Sequence, residues 1–271
     1  MPARRRTVLA ALASAAVGTP ALLAAAPPAP ARAAGDLYGS NTALYADPGL
    51  VEGTDYARRY RRQPAFDNDL ITNAPYPQVA VVAPHGGGIE VGTSELCLAV
   101  AGYHPATLAT ATDGAGLHDY WMFEGLRASG NGALHVTSTN CDDPYALSIC
   151  GGARHAVALH GCTEADAGVP VGTRAVLVGG LDATLRDLLR QEYARVNITL
   201  AGGGGADIDG TDARNICNRT VTRAGGQLEL TTALRTAMFG TNTRAERKNT
   251  TLPLFWDFVR ATRTAIARRV G

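Results

Sequence analysis

Val79-Ala-Val-Val-Ala-Pro-His-Gly-Gly-Gly-Ile-Glu90 carries a short apolar run straight into a glycine-rich turn. Val79, Val81 and Val82 favour an extended, packed strand. Gly86, Gly87 and Gly88 let the backbone turn and approach a ligand with no Cβ in the way. The turn therefore offers an imidazole, His85, and a carboxylate, Glu90, five residues apart at the end of a buried strand. Both can be aimed at one ion, in the His/His/Glu pattern of catalytic zinc. A glycine-rich turn with a locally bonded histidine is the competing reading, and this stretch alone leaves both open.

Outward from this stretch the pattern alternates. Thr93-Ser-Glu opens a helix to about Ala101, with Thr93 as its cap and Leu96, Ala99 and Val100 at helical spacing. Strands are expected at His118-Asp-Tyr-Trp-Met-Phe123, Ala133-Leu-His-Val-Thr137, Ala156-Val-Ala-Leu-His160, Ala175-Val-Leu-Val178 and Gln227-Leu-Glu-Leu230. Gly179-Gly180 feeds a helix with Leu181, Leu185, Leu188 and Leu189 on its buried face, and a last helix runs from Leu254 to about Arg269. The run Gly202–Gly205 with Asp207-Ile-Asp-Gly210 reads as a loop. Strands alternating with helices predict an α/β fold, a mixed central sheet flanked by helices. Chemistry is then expected at the carboxyl ends of the strands.

Met1-Pro-Ala-Arg-Arg-Arg and the alanine-rich run behind it read as a secretory signal peptide, residues 1–33, cleaved after Ala31-Arg-Ala33. Arg5-Arg6 also fits a twin-arginine type signal, so the protein is expected outside the cell. Removing residues 1–33 takes Arg4, Arg5, Arg6 and Arg32 from the 25 basic residues, leaving 21 against 24 acidic ones, a charge of −3. That balance argues against nucleic acid as a partner, and no other segment is apolar enough to span a bilayer. Residues 34–44 are an N-terminal segment and 45–271 a single catalytic domain, expected to act as a monomer. Tyr38, Tyr45, Tyr56 and Tyr60, with Arg58-Arg-Tyr-Arg-Arg62, read as chain laid against the domain, the arginines forming a solvated face able to attract a polyanion.

Five cysteines in an exported chain allow two disulfides. Cys141 with Cys150 and Cys162 with Cys217 are the pairs expected, with Cys97 left over. A Cys-Cys-His zinc site has little support from the spacing.

His160 ends its strand beside Gly161, as His85 ends its own, so two histidines and Glu90 supply three ligands and leave a fourth zinc position for water. Glu229 alternates with Leu228 and Leu230, which points its carboxyl away from the apolar face and makes it a candidate base. His135 is a candidate for substrate contact or for orienting the site. Asp142 and Asp143 are placed either to shape the loop before Pro144 or to orient a ligand histidine.

The order of these motifs resembles the poly-gamma-glutamate hydrolase family first known from bacteriophages, distantly similar to zinc carboxypeptidases. The motifs are Ala-Pro-His85-Gly-Gly-Gly-Ile-Glu90, Leu134-His-Val-Thr-Ser-Thr-Asn140, Ala158-Leu-His-Gly161, Asn215-Ile-Cys-Asn-Arg219 and Gly225-Gly-Gln-Leu-Glu-Leu230, and the likeness runs from Tyr38 to Arg269. It implies a phosphorylase/hydrolase-like zinc peptidase fold, Zn2+ on His85, Glu90 and His160, Glu229 as catalytic carboxylate, and an anionic γ-glutamyl polymer or peptide as substrate. Asn218-Arg219 resembles the pair with which zinc carboxypeptidases hold a substrate carboxylate, a task suited to a guanidinium. Arg154, Arg174, Arg214, Arg219 and Arg235 are the residues expected to make the groove basic. The alternatives are an N-acyl-amino-acid deacylase, a cell-wall peptide carboxypeptidase, a metal-stabilised surface protein that binds without cutting, and an α/β domain whose histidines are structural.

Overall fold

A computed structural model describes residues 35–63, 78–203 and 208–271. The expected signal peptide, Gly204, Gly205 and Asp207 lie outside the described residues. A seven-stranded sheet has the order β1-β3-β2-β4-β7-β5-β6. Its middle is parallel: β3 (Asp119–Gly125), β2 (Val79–Gly87), β4 (His155–Cys162) and β7 (Gly226–Thr231) run the same way. Antiparallel β1 (Tyr56–Arg61) edges one side, and β5 (Ala175–Gly179), antiparallel to β7, carries short β6 (Thr199–Leu200) on the other.

The central strands are buried along their whole length, as the unbroken apolar run of residues 79–83 requires. Val79, Val81, Val157, Leu159, Leu228 and Leu230 face helices α2 (Thr93–Ala101), α4 (Ala183–Arg195), the short α5 (Thr232–Thr236) and α6 (Pro253–Val270). Ala80, Val82, Trp121, Phe123, Ala156 and Ala158 face α1 (Asn41–Tyr45), α3 (Pro144–Gly152) and the segment 131–141. The molecule is thus a mixed sheet between two helical layers.

Four expectations change. Arg58–Arg61 are strand, not chain laid on the surface: β1 hydrogen-bonds along β3, with Tyr56 buried and Arg59 to Arg61 exposed. Ala133–Thr137 is not a strand, because residues 131–134 and 138–140 form two 3-10 turns. Thr93 does not cap α2; its hydroxyl donates back to the Glu90 carbonyl, 2.9 Å. All five cysteines are buried and unpaired. Cys162 ends β4 at the carboxyl edge, whereas the Cys217 carbonyl abuts Gly225 just before the amino end of β7, so that pair spans the sheet.

Candidate metal centre

The carboxyl edge of the parallel strands gathers His85, Glu90, His135, His160 and Glu229. His160 and Glu229 are register partners on adjacent strands and share a face with Ala156 and Ala158, about 4.8 Å apart in the ladder direction. His85 reaches that face through a bulge. Ala83 is opposite Met122 and Gly86 opposite Glu124, so Pro84 and His85 together stand opposite Phe123. The extra residue re-aims the imidazole toward the Phe123 side. Gly87 then turns with φ +66°, where a Cβ would strike the Gly125 carbonyl at 2.4 Å. The Glu90 N–H donates to the His85 carbonyl at 2.8 Å and closes the loop.

Three acceptor side chains converge. His85 Nδ1 is 2.8 Å from Glu90 Oε1 and 3.1 Å from His160 Nδ1, and His160 Nδ1 is 3.5 Å from Glu90 Oε2. The outer nitrogens are engaged elsewhere: His85 Nε2–H donates to the Val136 carbonyl at 2.9 Å, and His160 Nε2 lies 3.2 Å from Ser138 Oγ. A carbonyl only accepts, so His85 carries its proton on Nε2 and turns a lone pair on the carboxylate. Lone pairs at such separations repel unless a cation or a shared proton lies among them. Donors about 2.0–2.1 Å from a tetrahedral zinc stand about 3.3 Å from one another, so this donor set fits zinc. The outward partners, Val136 and Ser138, are of the kind that orient metal-bound imidazoles. His85, Glu90 and His135 form a second compatible trio, with ligand atoms within 4.8 Å of one another.

Electrostatics separates the two carboxylates. Burial works to raise the pKa of Glu90, yet the adjacent His85 and His160 hold it well below the usual range. Burial and the negative charge of Glu90 push Glu229 well above it. Gln227 Nε2 donates to Glu229 Oε1 at 2.9 Å, and Gln227 is held in turn by Asn215 Nδ2 at 2.8 Å.

Asn218 and Arg219 are not brought here. The Asn218 amide is fully spent, accepting from Leu181 N and Gly225 N and donating to the Gly210 and Asp212 carbonyls, all at the amino end of β7. Arg219 is exposed beside Cys150 and Gly151, at the end of α3. A loop tie replaces the expected carboxylate clamp. Asp143 caps α3, and Asp142 accepts the Thr42 N–H, so neither orients a ligand histidine.

One contributor escaped sequence reading, and another has a different role from the one expected. Asp36 binds His135 Nδ1 at 2.6 Å; its signal is only a lone acid ahead of the domain. Arg235 is buried against Gly161, where a Cβ would meet its Cζ at 2.4 Å. Its guanidinium donates to the Leu230, Val91 and Cys162 carbonyls and to Thr232 Oγ1, so it is a brace that also places positive charge near Glu90 and Glu229.

Of the five arginines expected to line a groove, Arg235 is thus committed to backbone, and Arg154 and Arg219 are at the opposite edge of the sheet. A different set makes a basic cleft. A cavity of about 840 Å³ beside β3 is lined by Arg58, Arg59, Arg244, Arg247 and Lys248, and reaches Gly87, two residues from His85. Glu52, Glu124 and Glu95 pair with Arg58, Arg59 and Arg247 respectively. Among the described residues neither Arg244 nor Lys248 pairs with a carboxylate, which leaves the cleft net positive.

Residues 59–261 match the poly-gamma-glutamate hydrolase family model. The SPbeta prophage-derived UPF0714 protein YoqZ of Bacillus subtilis (strain 168) is 29% identical over 231 residues, covering 82% of this chain and 73% of its own length. The UPF0714 protein YndL of the same organism is 31% identical over 194 residues, 71% and 68% of the two chains. Among solved structures, a bacteriophage poly-gamma-glutamate hydrolase aligns with TM-score 0.69 at 29% identity, over 86% of this chain and 98% of that one. Zinc-free apo YndL aligns with TM-score 0.65 at 27% identity, over 83% and 95%.

Proposed function

This chain belongs to the poly-gamma-glutamate hydrolase family, and from that premise we propose that it is a zinc-dependent enzyme cleaving the γ-glutamyl amide bonds of poly-γ-glutamate outside the cell. The observation that carries the reading is the convergence of His85 Nδ1, Glu90 and His160 Nδ1 at 2.8–3.5 Å, with both outer imidazole nitrogens already engaged. The zinc-free form of YndL supports a zinc site in the family. Zinc bound by these donors supplies Lewis-acid polarisation of the scissile carbonyl and a lowered pKa for water.

The rest falls to the chain. With the charge of Glu90 offset by a bound zinc, Glu229, on the strand beside His160, would be ionised and would take the proton of the attacking water and return it to the leaving amine, so that amide and water give carboxylic acid and amine. Gln227 fixes one oxygen of that carboxyl and leaves the other to the reaction. Arg235 offsets the charge of two buried carboxylates without reaching substrate. The basic cleft suits a substrate bearing one carboxylate per residue.

The test is metal content coupled to a chain-length assay on poly-γ-glutamate. Wild-type protein is expected to hold one zinc and shorten the polymer. His85→Ala is expected to lose both. Glu229→Gln is expected to keep zinc and lose about 10²–10⁴ in kcat. Zinc with cleavage only of an N-acyl amino acid or a stem peptide would overturn the polymer assignment, and background turnover in both wild type and Glu229→Gln with polymer still bound would make the protein a binder.

A further inference from the structure

His135 enters the metal centre with an orienting carboxylate of its own. Its ring lies against that of His85, centroids 3.8 Å apart, and its Nε2 stands 3.9 Å from Glu90 Oε1. On the other side, Nδ1 is 2.6 Å from Asp36 Oδ1, while Asp36 Oδ2 accepts the Thr137 N–H at 2.8 Å. Asp36 is only 8% exposed, and a buried carboxylate is tolerated only where hydrogen bonds replace its water. The residue comes from ahead of α1, outside residues 59–261 that match the family.

The second bond matters as much as the first. Thr137 sits between Val136, whose carbonyl holds His85, and Ser138, whose hydroxyl meets His160. One carboxylate therefore grips both an imidazole and the backbone that orients the other two.

We propose that Asp36 is a positioning residue of the hydrolytic centre: it takes the Nδ1 proton of His135, so that the Nε2 lone pair faces the Glu90 side of the site and accepts a hydrogen bond from the amide N–H of a bound γ-glutamyl substrate. A carboxylate oxygen only accepts, so Nδ1 must donate, and a neutral imidazole then keeps its lone pair on Nε2. The identity of the substrate rests on the hydrolase reading above; the orientation of the ring does not.

Asp36→Asn separates orientation from packing. The carboxamide keeps an oxygen for Thr137 but offers Nδ1 an N–H where an acceptor stood, which reverses the tautomer; Asp36→Glu restores an acceptor. The measurements are the ¹⁵N spectrum of the histidine rings, zinc content, thermal unfolding, and kcat and KM on a γ-glutamyl oligomer. Wild type is expected to show His135 protonated on Nδ1 and the asparagine variant on Nε2. The variant's kcat is expected to fall about 10–100-fold, with zinc content and Tm close to wild type and partial recovery in Asp36→Glu.

An Nε2-protonated His135 in wild type overturns the proposal, even if the asparagine variant does not fold. So does an unchanged kcat, or a loss matched by equal loss of zinc and Tm that glutamate fails to rescue. A wild-type enzyme that cleaves no γ-glutamyl bond would sink the hydrolase reading and with it the substrate half of the proposal, while the ring spectra would still decide the tautomer.

Discussion

Glu90 and Glu229 show what burial does when partners differ. Both lose water; one faces two imidazoles and is driven toward the ionised form, while the other faces the first carboxylate and is driven toward the neutral form. A pair of titratable groups split in this way is the usual arrangement of a ligand beside a proton carrier. The same physics acts on His118, just before the amino end of β3 and so at the opposite edge of the sheet. Burial, aided by the Arg263 guanidinium and opposed by Asp113, lowers its pKa to about 4, and its Nε2 has no partner. Between pH 6.5 and about 4 the unfolded chain binds a proton there that the folded chain refuses, so this group's share of stability is full above pH 6.5 and falls as pH drops through the window. The loss reaches about 3 kcal/mol. Urea titrations at pH 7 and pH 4.5 are expected to show that decline, and His118→Phe to flatten it; an equal decline in the variant would place the acid sensitivity in other groups, His155 first.

At the scale of elements, the buried strands and long helices were legible because their apolar residues recur with the right period. β2, β4, β7, α4 and α6 all stand within a few residues of expectation. β1 was hidden because an edge strand exposed on one side can be made of arginines, and its pairing with β3 is invisible in local sequence. The false strand at 133–137 has alternating residues, but Gly130, in the left-handed region, starts a 3-10 turn there. His85 and His160 were legible as strand-end residues. The bulge that turns His85 to its neighbour was not, since it is defined only against β3. Asn218-Arg219 misled because its short motif says nothing about which end of β7 the loop covers. That same end depends on Asp182, which caps α4 at Leu185 N, 3.0 Å, pairs with Arg269 of α6 at 3.0 Å and lies 3.3 Å from His155 Nδ1. Asp182→Ala is expected to cost about 2 kcal/mol, read as a lower urea midpoint, roughly 1 kcal/mol of it from the cap. Because Asp182 is at the far edge of the sheet, kcat and KM should not move, and a large kcat loss would contradict that separation.

Across the whole molecule, charge is distributed against the average. The chain without its leader is expected to be mildly acidic, yet the cleft beside β3 gathers five cations around two paired glutamates, Glu95 and Glu124. Arg247 is buried and held by Glu95 and the Gly87 carbonyl, so it links the cleft wall to the loop that carries His85. Arg244 and Lys248 remain for a ligand. A long polyanion can use such a surface, since low-dielectric walls of one sign focus the field and raise local concentration, whereas an oligomer of two or three residues gains little from charges beyond the His85, Glu90 and His160 cluster. Arg244→Ala with Lys248→Ala is therefore expected to raise KM on long poly-γ-glutamate by roughly 3–10-fold, to weaken the dependence of KM on ionic strength, and to leave kcat and the KM for a short oligomer near wild type. Steady-state kinetics on the two substrates at low and high salt decides it. Equal loss on both would mean that the cations act on the centre itself, through the Arg247 link, and unchanged kinetics on the polymer would mean that it approaches His85, Glu90 and His160 from another side.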